Sequence, residues 1–475
     1  MMTTLQQNEV GTQNERNLNS FYSIQGKQEE KGDRSDRGSD ETDREDAILN
    51  ILETPSISNK DLISSTAEFN GKFKFTWFKT FLIPLGPFTI VLALFYVVAL
   101  MARGIFQPVY LNSMRLTRAI TTSKANDVTD YYVAVLFLAL TQFGITFVCL
   151  LVVYCGNHRG MSLRPPIRIR GLVTIGFFNF LVYLCFSYAS SPARTPPQLQ
   201  AVIMTSVVPS GVLVHRAFFR EWVSPGRLVC AFVVVVGLVI SLEPVLFNMT
   251  IAQDPVCRDG VFPKESDDWK MVWCGVFALS SLPRAFRTVI SDKEMKLRGL
   301  TNVHLLVLIA WINFGIVVFA LFFVWIDLLP FPGGTADGSV ERLGQALRQG
   351  LACSYGMAVG DYSNFPGQCK MASLWGWLYV LSSFCVSLGL FGLTKYSANA
   401  VQTIIVSAIV TPVSTLFWML FTICPGATNI HWYPAFEKEW KSAVYVAVGM
   451  LFIIPAAVAY KFLGKTRPRT NRNLK

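Results

Sequence analysis

Runs of about twenty apolar residues alternate with short polar segments along most of this 475-residue chain. A helix needs roughly twenty residues to cross a hydrocarbon layer of about 30 Å, and lipid offers no partner to unpaired backbone groups. The sequence therefore predicts an all-α membrane protein with ten transmembrane helices. They are expected at about 84–108, 131–155, 172–192, 198–218, 226–247, 269–290, 303–328, 374–394, 400–423 and 442–463.

The composition agrees with a chain that lies mostly in a lipid bilayer. Hydrophobic residues make up 52% of it and charged residues only 15%, which is too little charge for the surface of a soluble protein of this length. The net charge of +11 would indicate nucleic-acid binding in a soluble protein, but here the cations lie in short segments between apolar runs. The positive-inside rule accounts for them, so the expected partner is a lipid bilayer and not a nucleic acid.

One segment of the chain recurs about two hundred residues later. Residues 198–211 and 400–413 both place a glutamine, a small hydroxyl residue and a proline along an apolar run: Gln200, Thr205 and Pro209, then Gln402, Ser407 and Pro412. Because an odd number of spans separates equivalent elements, the two copies must cross the membrane in opposite directions. This indicates an inverted five-plus-five repeat, in which substrate sites lie near the midplane where the copies meet.

Loop charges orient the chain in the membrane. The loop after the second span holds four arginines and no acid between residues 158 and 170, whereas 248–268 is rich in Asp and Glu. Arginine-rich loops are expected in the cytosol and the acidic ones in a lumen, which places both termini in the cytosol. The predicted organisation is a disordered cytosolic tail (1–72), a first five-helix repeat (73–247), a lumenal connecting loop (248–268), a second repeat (269–463) with a lumenal loop (331–372), and a basic cytosolic tail (464–475).

The long lumenal loop contains two cysteines, Cys353 and Cys369. Disulfides persist on an oxidising lumenal side, so these two residues are expected to form one. In the same loop, apolar residues recur at helical spacing between Ser339 and Leu351. This pattern predicts a short helix that lies on the membrane surface and caps the mouth of a cavity.

Three features of the chain resemble the chloroquine-resistance-transporter family of the drug/metabolite transporter superfamily. They are the Cys353 loop with its paired Cys369, the motif Ser280-Ser-Leu-Pro283 followed by Lys293-Glu294, and the stretch from Asn179 to Pro209, and the match covers most of residues 84–463. The resemblance implies an inverted five-plus-five fold. It also implies a carrier that moves small, often cationic or peptide-like solutes from an acidic organelle to the cytosol, with protons as the driving ion. Plant members are similar but are associated with plastids and with thiols such as glutathione.

Polar residues inside the spans are the candidates for a substrate cavity, because a charged or polar group in lipid persists mainly where it faces a cavity or another helix. Arg103 lies where the resemblance places a basic or neutral residue that tunes the passage of cations, and a fixed positive charge there should repel them. Alternatively, its side chain extends to the membrane interface. The uncharged candidates, each of which could instead only join helices, are Asn179, Gln200, Thr205, Ser206, Asn313, Gln402 and Ser407.

Two acids and two prolines complete the predicted site. Glu243 and Asp327 lie near the lumenal ends of the fifth and seventh spans and are candidates for proton coupling. Glu243 is the preferred one of the two, and an acid that simply ends a helix is the alternative for both, favoured for Asp327. Pro209 and Pro412 are candidate gating kinks, with packing kinks as the alternative. In addition, Arg284 and Arg287 are expected near the cytosolic end of the sixth span, where they could receive an anionic substrate group or reach the cytosolic phosphates.

The chain carries no Gly-rich phosphate loop and no metalloprotease or hydrolase signature, so no enzyme activity, metal or cofactor is expected. Three functions remain open. The first is a monomeric, proton-coupled secondary transporter of peptides, amino acids, amines or thiols that exports them to the cytosol by alternating access, in a vacuolar, lysosomal or other endomembrane or a plastid membrane. The others are an exchanger of nucleotide sugars or other organic anions, and a non-transporting membrane receptor.

Overall fold

The computed structural model of the chain describes residues 87–121, 130–156, 162–192, 194–219, 224–246, 267–297, 304–329, 340–360, 363, 366–396, 400–423, 430–432 and 440–462. All of them belong to one compact unit, Phe78–Lys475. The predicted tails and most of the connecting loop 248–268 lie outside the described residues.

Helices dominate the described part of the chain. They are α1 (Pro87–Thr121), α2 (Asp130–Gly156), α3 (Ile169–Ala189), α4 (Pro197–Ile203), α5 (Val207–Phe219), α6 (Pro225–Leu246), α7 (Asp267–Leu279), α8 (Ser281–Leu297), α9 (Leu305–Phe322), α10 (Val340–Ser354), α11 (Pro366–Tyr396), α12 (Ala400–Leu420) and α13 (Trp440–Phe462). Two 3-10 turns, Met204–Ser206 and Val324–Leu328, follow α4 and α9. A two-stranded antiparallel hairpin, β1 (Phe421–Thr422) with β2 (His431–Trp432), was not expected from the apolar pattern.

Eight of the predicted spans are long and apolar enough among the described residues to cross a membrane, which confirms a multi-pass all-α membrane protein. They are 88–114, 131–156, 169–189, 197–218, 225–243, 305–328, 366–396 and 443–460. The predicted ninth span corresponds to α12, of which only Val410–Leu420 qualifies, as a shorter apolar helix. The predicted sixth span is the interrupted pair α7 and α8.

The interruption between α7 and α8 has a local cause. Proline has no backbone N–H, so Pro283 cannot donate to the carbonyl of Leu279 four residues earlier, and its ring crowds that carbonyl. The chain accordingly turns at Ser280 before α8 begins. Downstream of the turn, α8 is much less apolar than the other spans and carries the two arginines that sequence reasoning had placed near its cytosolic end.

Contacts between helix ends show which ends of the helices lie together. The Tyr188 hydroxyl near the end of α3 donates to Asp327 after α9 (2.7 Å), and Gln198 at the start of α4 donates to the Trp418 carbonyl near the end of α12 (3.2 Å). Near the end of the first membrane span, 88–114, the Tyr110 hydroxyl is hydrogen-bonded to Ser354 at the end of α10 (2.8 Å). We call this end, which the loop charges predict to be lumenal, the α10 end.

The helix predicted in the long loop is present as α10, and the predicted disulfide is confirmed between Cys353 and Cys369. The apolar face of α10 packs on α2 and α11, with Leu343 buried and Gly350 against Val133. The disulfide joins the end of α10 to the start of α11, so α10 is fixed at both its face and its end.

Candidate substrate site: a buried arginine cluster

Three arginines lie in the interior of the helix bundle. Arg103 on α1 and Arg284 and Arg287 on α8 are only 5%, 7% and 5% exposed, so other helices cover them and they do not extend to a surface. The expectation that Arg284 and Arg287 reach the cytosolic phosphates therefore does not describe the structure. We call these three residues the arginine cluster.

Arg103 is held by aromatic rings. Its guanidinium carbon lies 5.4 Å from the centre of the Tyr183 ring and 5.5 Å from that of Phe186, both on α3. A cation within about 6 Å of an aromatic face is attracted by the ring quadrupole. The Nε and Nη2 atoms of Arg103 are buried and make no hydrogen bond to the described residues, so their donor capacity is unused.

Arg287 joins the same site through a hydrogen bond. Its Nη1 donates to the Oδ1 of Asn179 on α3, while its Nε has no hydrogen-bond partner among the described residues. Arg103, Arg284 and Tyr183 all interact electrostatically with Arg287, which places both other cations of the cluster within electrostatic range of Arg287.

The cluster lies near the middle of the spans. Asn179 is the central residue of α3, which runs from Ile169 to Ala189, and Arg103 is two residues past the centre of the span 88–114. Because Arg287 contacts Asn179, α8 brings its arginines to the middle of α3. This is the depth at which substrate sites of repeat-built carriers lie.

The charge of the cluster is not balanced by the described residues. No acid among them forms an ion pair with any of the three arginines, and no carboxylate contributes to the electrostatic surroundings of Arg287. A buried charge is costly unless it is paired and hydrogen-bonded. The arrangement therefore favours a bound anion, and guanidinium groups hold carboxylates and phosphates through parallel hydrogen bonds.

A pocket begins beside the cluster, at Gly104, and continues toward the α10 end. The pocket is narrow, with a cavity volume of about 10 Å³, which is room for roughly one water molecule. Phe277, which lines the pocket, packs edge-on against Phe186, the ring on which Arg103 lies. This pair of aromatic rings therefore lies between the pocket and the arginine cluster. The residues that line the pocket are Gly104, Gln107, Pro108, Ser190, Pro197, Gln200, Ala201, Met204, Phe277, Ser414 and Trp418.

Two glutamines give the pocket hydrogen-bond acceptors. Gln200 Nε2 donates to the backbone carbonyls of Ser190 (2.8 Å) and Thr195 (2.7 Å), and a carbonyl can only accept. The amide orientation is thereby fixed, which leaves Gln200 Oε1 for a solute. Gln107 Nε2 donates to the Ser190 hydroxyl (2.8 Å), which leaves the Gln107 Oε1 outside that bond. Since a hydroxyl can both donate and accept, only the Gln200 amide is fixed by its partners.

A second polar group lies behind the cluster. Asn313 on α9 donates to the Thr146 hydroxyl (2.9 Å), and Thr146 donates to the carbonyl of Gln142 on α2 (2.7 Å). The Gln142 side chain in turn bonds Tyr183 and Ser387. The predicted cavity residue Asn313 thus belongs to a hydrogen-bonded chain between helices, which reaches the arginine cluster only through Tyr183.

The other predicted cavity residues are spread along the fourth and ninth spans. Thr205 and Ser206 are buried in the 3-10 turn, where the Thr205 hydroxyl donates to its own helix at Val202 (2.6 Å). Ser407 is buried on α12, and the side chain of Gln402 lies outside the described residues. Among all the uncharged cavity residues predicted from the sequence, the structure brings Asn179 to the arginine cluster and Gln200 to the pocket.

The two predicted kinks differ in kind. Pro209 lies at the third residue of α5, just after the 3-10 turn that interrupts the fourth span. Pro412 lies inside α12, which continues past it without a break. An interruption therefore accompanies Pro209 alone.

The two candidate proton sites also have different surroundings. Asp327 is 1% exposed and accepts the hydrogen bond from Tyr188, and Tyr132 and Arg194 also interact with this pair. Glu243 is only partly buried on α6. Burial and a specific partner are the features that a coupling carboxylate needs, and they favour Asp327.

Sequence reasoning missed three residues. Gln107 and Gln142 are amides within apolar runs, which is the signal that pointed to Asn179, so they could have been found in the same way. Arg194 follows α3 in a turn, where an arginine is ordinarily solvated. Here its guanidinium carbon instead lies 4.0 Å from the Tyr131 ring centre and 3.8 Å from that of Trp273, and no sequence pattern predicts that contact.

A family model described as CRT-like, chloroquine-resistance transporter-like, matches residues 89–436. Comparison with curated proteins gave no match. The matched region covers more than half of the chain and includes the arginine cluster, the pocket and the disulfide. The chain therefore belongs to the chloroquine-resistance transporter-like family of membrane transporters.

Proposed function

We propose that this chain is a secondary transporter of small organic solutes that carry a carboxylate and N–H donors, namely amino acids or short peptides. The observation that carries the proposal is the arginine cluster, whose three buried cations have no acid partner among the described residues. A carboxylate would take up the unused donors of Arg103 and Arg287. The N–H groups would meet the acceptor oxygens of Gln107 and Gln200 in the adjoining pocket.

Simple amines fit this site poorly. A cation would approach three like charges across a medium of low dielectric constant, where repulsion is much stronger than in water. A thiol-containing peptide such as glutathione carries carboxylates and N–H groups and fits as other peptides do. The proposal therefore keeps the peptides, amino acids and peptide thiols of the sequence prediction and leaves out the amines.

The transport mechanism we propose is alternating access between two inverted five-helix halves. Helix packing supports the repeat: α1 packs on α11 and α12, and its counterpart α7–α8 packs on α3 and on α4–α5, the counterparts of α11 and α12. The pairs α2–α9 and α6–α13 each join an element to its own counterpart. This is the pattern expected when a two-fold axis in the membrane plane relates the halves.

Protons are the proposed driving ion, with export from an acidic organelle to the cytosol. A carboxylate that takes up a proton on the acidic side and releases it on the neutral side would couple the gradient to the conformational change. Asp327 supports this role best, because it is buried at the α10 end, which is the end predicted to face the lumen.

The experiment that tests the substrate is uptake by purified protein in liposomes. A labelled dipeptide is compared with its C-terminal amide, which keeps the N–H groups but has no carboxylate. We expect uptake of the acid and not of the amide. Arg287→Gln should lower uptake of the acid about 10- to 100-fold, the loss expected for one or two charge-assisted hydrogen bonds.

Arg348→Gln on α10 is the matched control, because this arginine is exposed and away from the cluster. It should leave uptake unchanged. Equal uptake of acid and amide, or an Arg287→Gln variant as active as the control, would contradict the proposal.

An exchanger of organic anions is a second candidate, since the same three arginines would receive any anionic group. The two functions differ in driving force. An exchanger would require an anion on the opposite side of the membrane and would not respond to an imposed pH gradient.

A further inference from the structure

Gln142 is the centre of a hydrogen-bonded group behind the arginine cluster. It lies on α2, is 1% exposed, and bonds two other helices: its Oε1 accepts from the Tyr183 hydroxyl on α3 (2.9 Å), and its Nε2 donates to the Ser387 hydroxyl on α11 (2.9 Å). Neither Gln142 nor Ser387 belongs to the arginine cluster or lines the pocket.

The orientation of the Gln142 amide follows from its partners. The Ser387 hydroxyl donates its proton to the carbonyl of Ser383 (3.1 Å), so toward Gln142 it can only accept. The Gln142 atom that faces Ser387 must therefore be the NH₂ group. Its oxygen then faces Tyr183, whose hydroxyl proton is fully used in that bond.

This bond fixes the ring on which Arg103 lies. A tyrosine ring can turn about its side-chain bonds, but a hydroxyl held at Gln142 limits Tyr183 to one position. Its face then lies against the Arg103 guanidinium, 5.4 Å away. Arg103 Nε and Nη2 make no hydrogen bond to the described residues, and the Tyr379 side chain also interacts with the guanidinium, so the rings of Tyr183 and Phe186 position this cation together with Tyr379.

We infer that Gln142 is a positioning residue for the substrate carboxylate, acting through Tyr183 to hold Arg103 in the geometry that receives it. The inference rests on the proposed function, since it needs an anion at the arginine cluster. It adds a residue that touches no solute yet sets the affinity for one.

The test compares Gln142→Leu, Tyr183→Phe and the double variant in liposome uptake of the labelled dipeptide. Each single change removes the same hydrogen bond while Tyr183→Phe keeps the ring. Each should raise KM about tenfold, because a misplaced donor loses much of its hydrogen bond, with little change in maximal rate. The double variant should be no worse than either single one, since both remove one interaction.

Thr141→Val is the matched control. Thr141 precedes Gln142 on the same helix and its buried hydroxyl is hydrogen-bonded to Tyr355 (2.9 Å), away from the arginines. A purely structural role would lower the melting temperature of Gln142→Leu and Thr141→Val and leave KM unchanged in both. A wild-type KM in Gln142→Leu, or additive effects in the double variant, would overturn the inference.

A second measurement separates this inference from the transport proposal. Acetate, the simplest probe of a carboxylate site, should raise the melting temperature of the wild-type protein, and the increase should shrink in Gln142→Leu and vanish in Arg103→Gln. If the wild-type protein takes up no peptide but shows this acetate pattern, the transport proposal fails and the positioning role stands. If acetate stabilises the wild-type protein and Gln142→Leu equally, or stabilises neither of them, the positioning role is overturned.

Discussion

The residues of the arginine cluster are held in two different ways, and the difference bears on binding. Arg287 is oriented by a hydrogen bond from Nη1 to Asn179, whereas Arg103 lies against the rings of Tyr183 and Phe186 and interacts with the Tyr379 side chain. A guanidinium that lies on the face of an aromatic ring can still donate its N–H groups to a ligand. A lysine in the same place could neither stack on the ring nor donate two parallel hydrogen bonds. The cluster therefore combines an arginine directed by Asn179 with one whose Nε and Nη2 make no hydrogen bond to the described residues.

Asp327 carries the residue-scale prediction. In liposomes with an acidic interior, Asp327→Asn should remove the dependence of transport on the pH gradient, because it deletes the buried carboxylate that Tyr188 contacts. Glu243→Gln should retain that dependence, since Glu243 is only partly buried. Transport rates with and without the gradient provide the measurement.

Glu341→Gln on the exposed face of α10 serves as control for the loss of one acid at the same end of the molecule. Full gradient dependence in Asp327→Asn would exclude this carboxylate as the coupling site. Full gradient dependence is the expected result for Glu243→Gln, and it would not identify Glu243 as the coupling site.

At the scale of elements, the disulfide fixes the end of α10 to α11. Sixteen positions separate Cys353 from Cys369, and closing a loop of that size stabilises the folded state by about 3 kcal/mol through the entropy of the unfolded chain. Replacing both cysteines with serine should lower the melting temperature. The same shift should follow from a reducing agent in the wild-type protein and be absent in the double-serine variant.

The close packing of α6 on α13 depends on glycine. A Cβ at Gly449 would overlap the Ser241 hydroxyl and lie 2.6 Å from the carbonyl oxygen of Gly237. Close approach of this kind is how small residues stabilise helix pairs in membranes. Gly449→Leu should force the helices apart and destabilise the protein by about 1–3 kcal/mol.

Gly144→Ala on α2 is the comparison for that change, because nothing lies within 4 Å of an added Cβ there. Thermal unfolding in detergent should separate the two variants clearly. Equal melting temperatures would mean that the α6–α13 contact contributes little to stability.

Features that depend on short segments of the sequence could be predicted, whereas features that depend on contacts between distant residues could not. Spans and the Cys353–Cys369 bridge follow from apolar length and compartment, which are properties of short segments. The position of Arg287 does not, because counting residues along a span placed it near an interface, whereas the turn at Ser280 and the contact with Asn179 bring it to the middle of α3. The hydrogen bond between Gln142 and Tyr183 likewise depends on tertiary packing, which no periodicity encodes.

At the scale of the whole molecule, the proposed topology predicts on which side of the membrane particular residues lie. Cys155 is exposed at the end of α2 that is predicted to be cytosolic, and Val340 is exposed at the start of α10, on the predicted lumenal side. In vesicles of one orientation, a membrane-impermeant maleimide should label Cys155 and Val340→Cys from opposite sides. The other cysteines outside the disulfide are first replaced with serine, and labelling from one side would contradict the topology.

Because no acid among the described residues pairs with the arginine cluster, we expect transport to depend on the membrane potential. An empty site holds three positive charges near the centre of the membrane field, and a bound carboxylate cancels one of them. A potential of 100 mV acts on a charge that crosses the full field with about 2.3 kcal/mol. If the cluster moves through even part of that field, the conformational change of the empty carrier depends on the membrane potential more strongly than that of the loaded carrier. The membrane potential would then control the transport rate through the return step of the empty carrier.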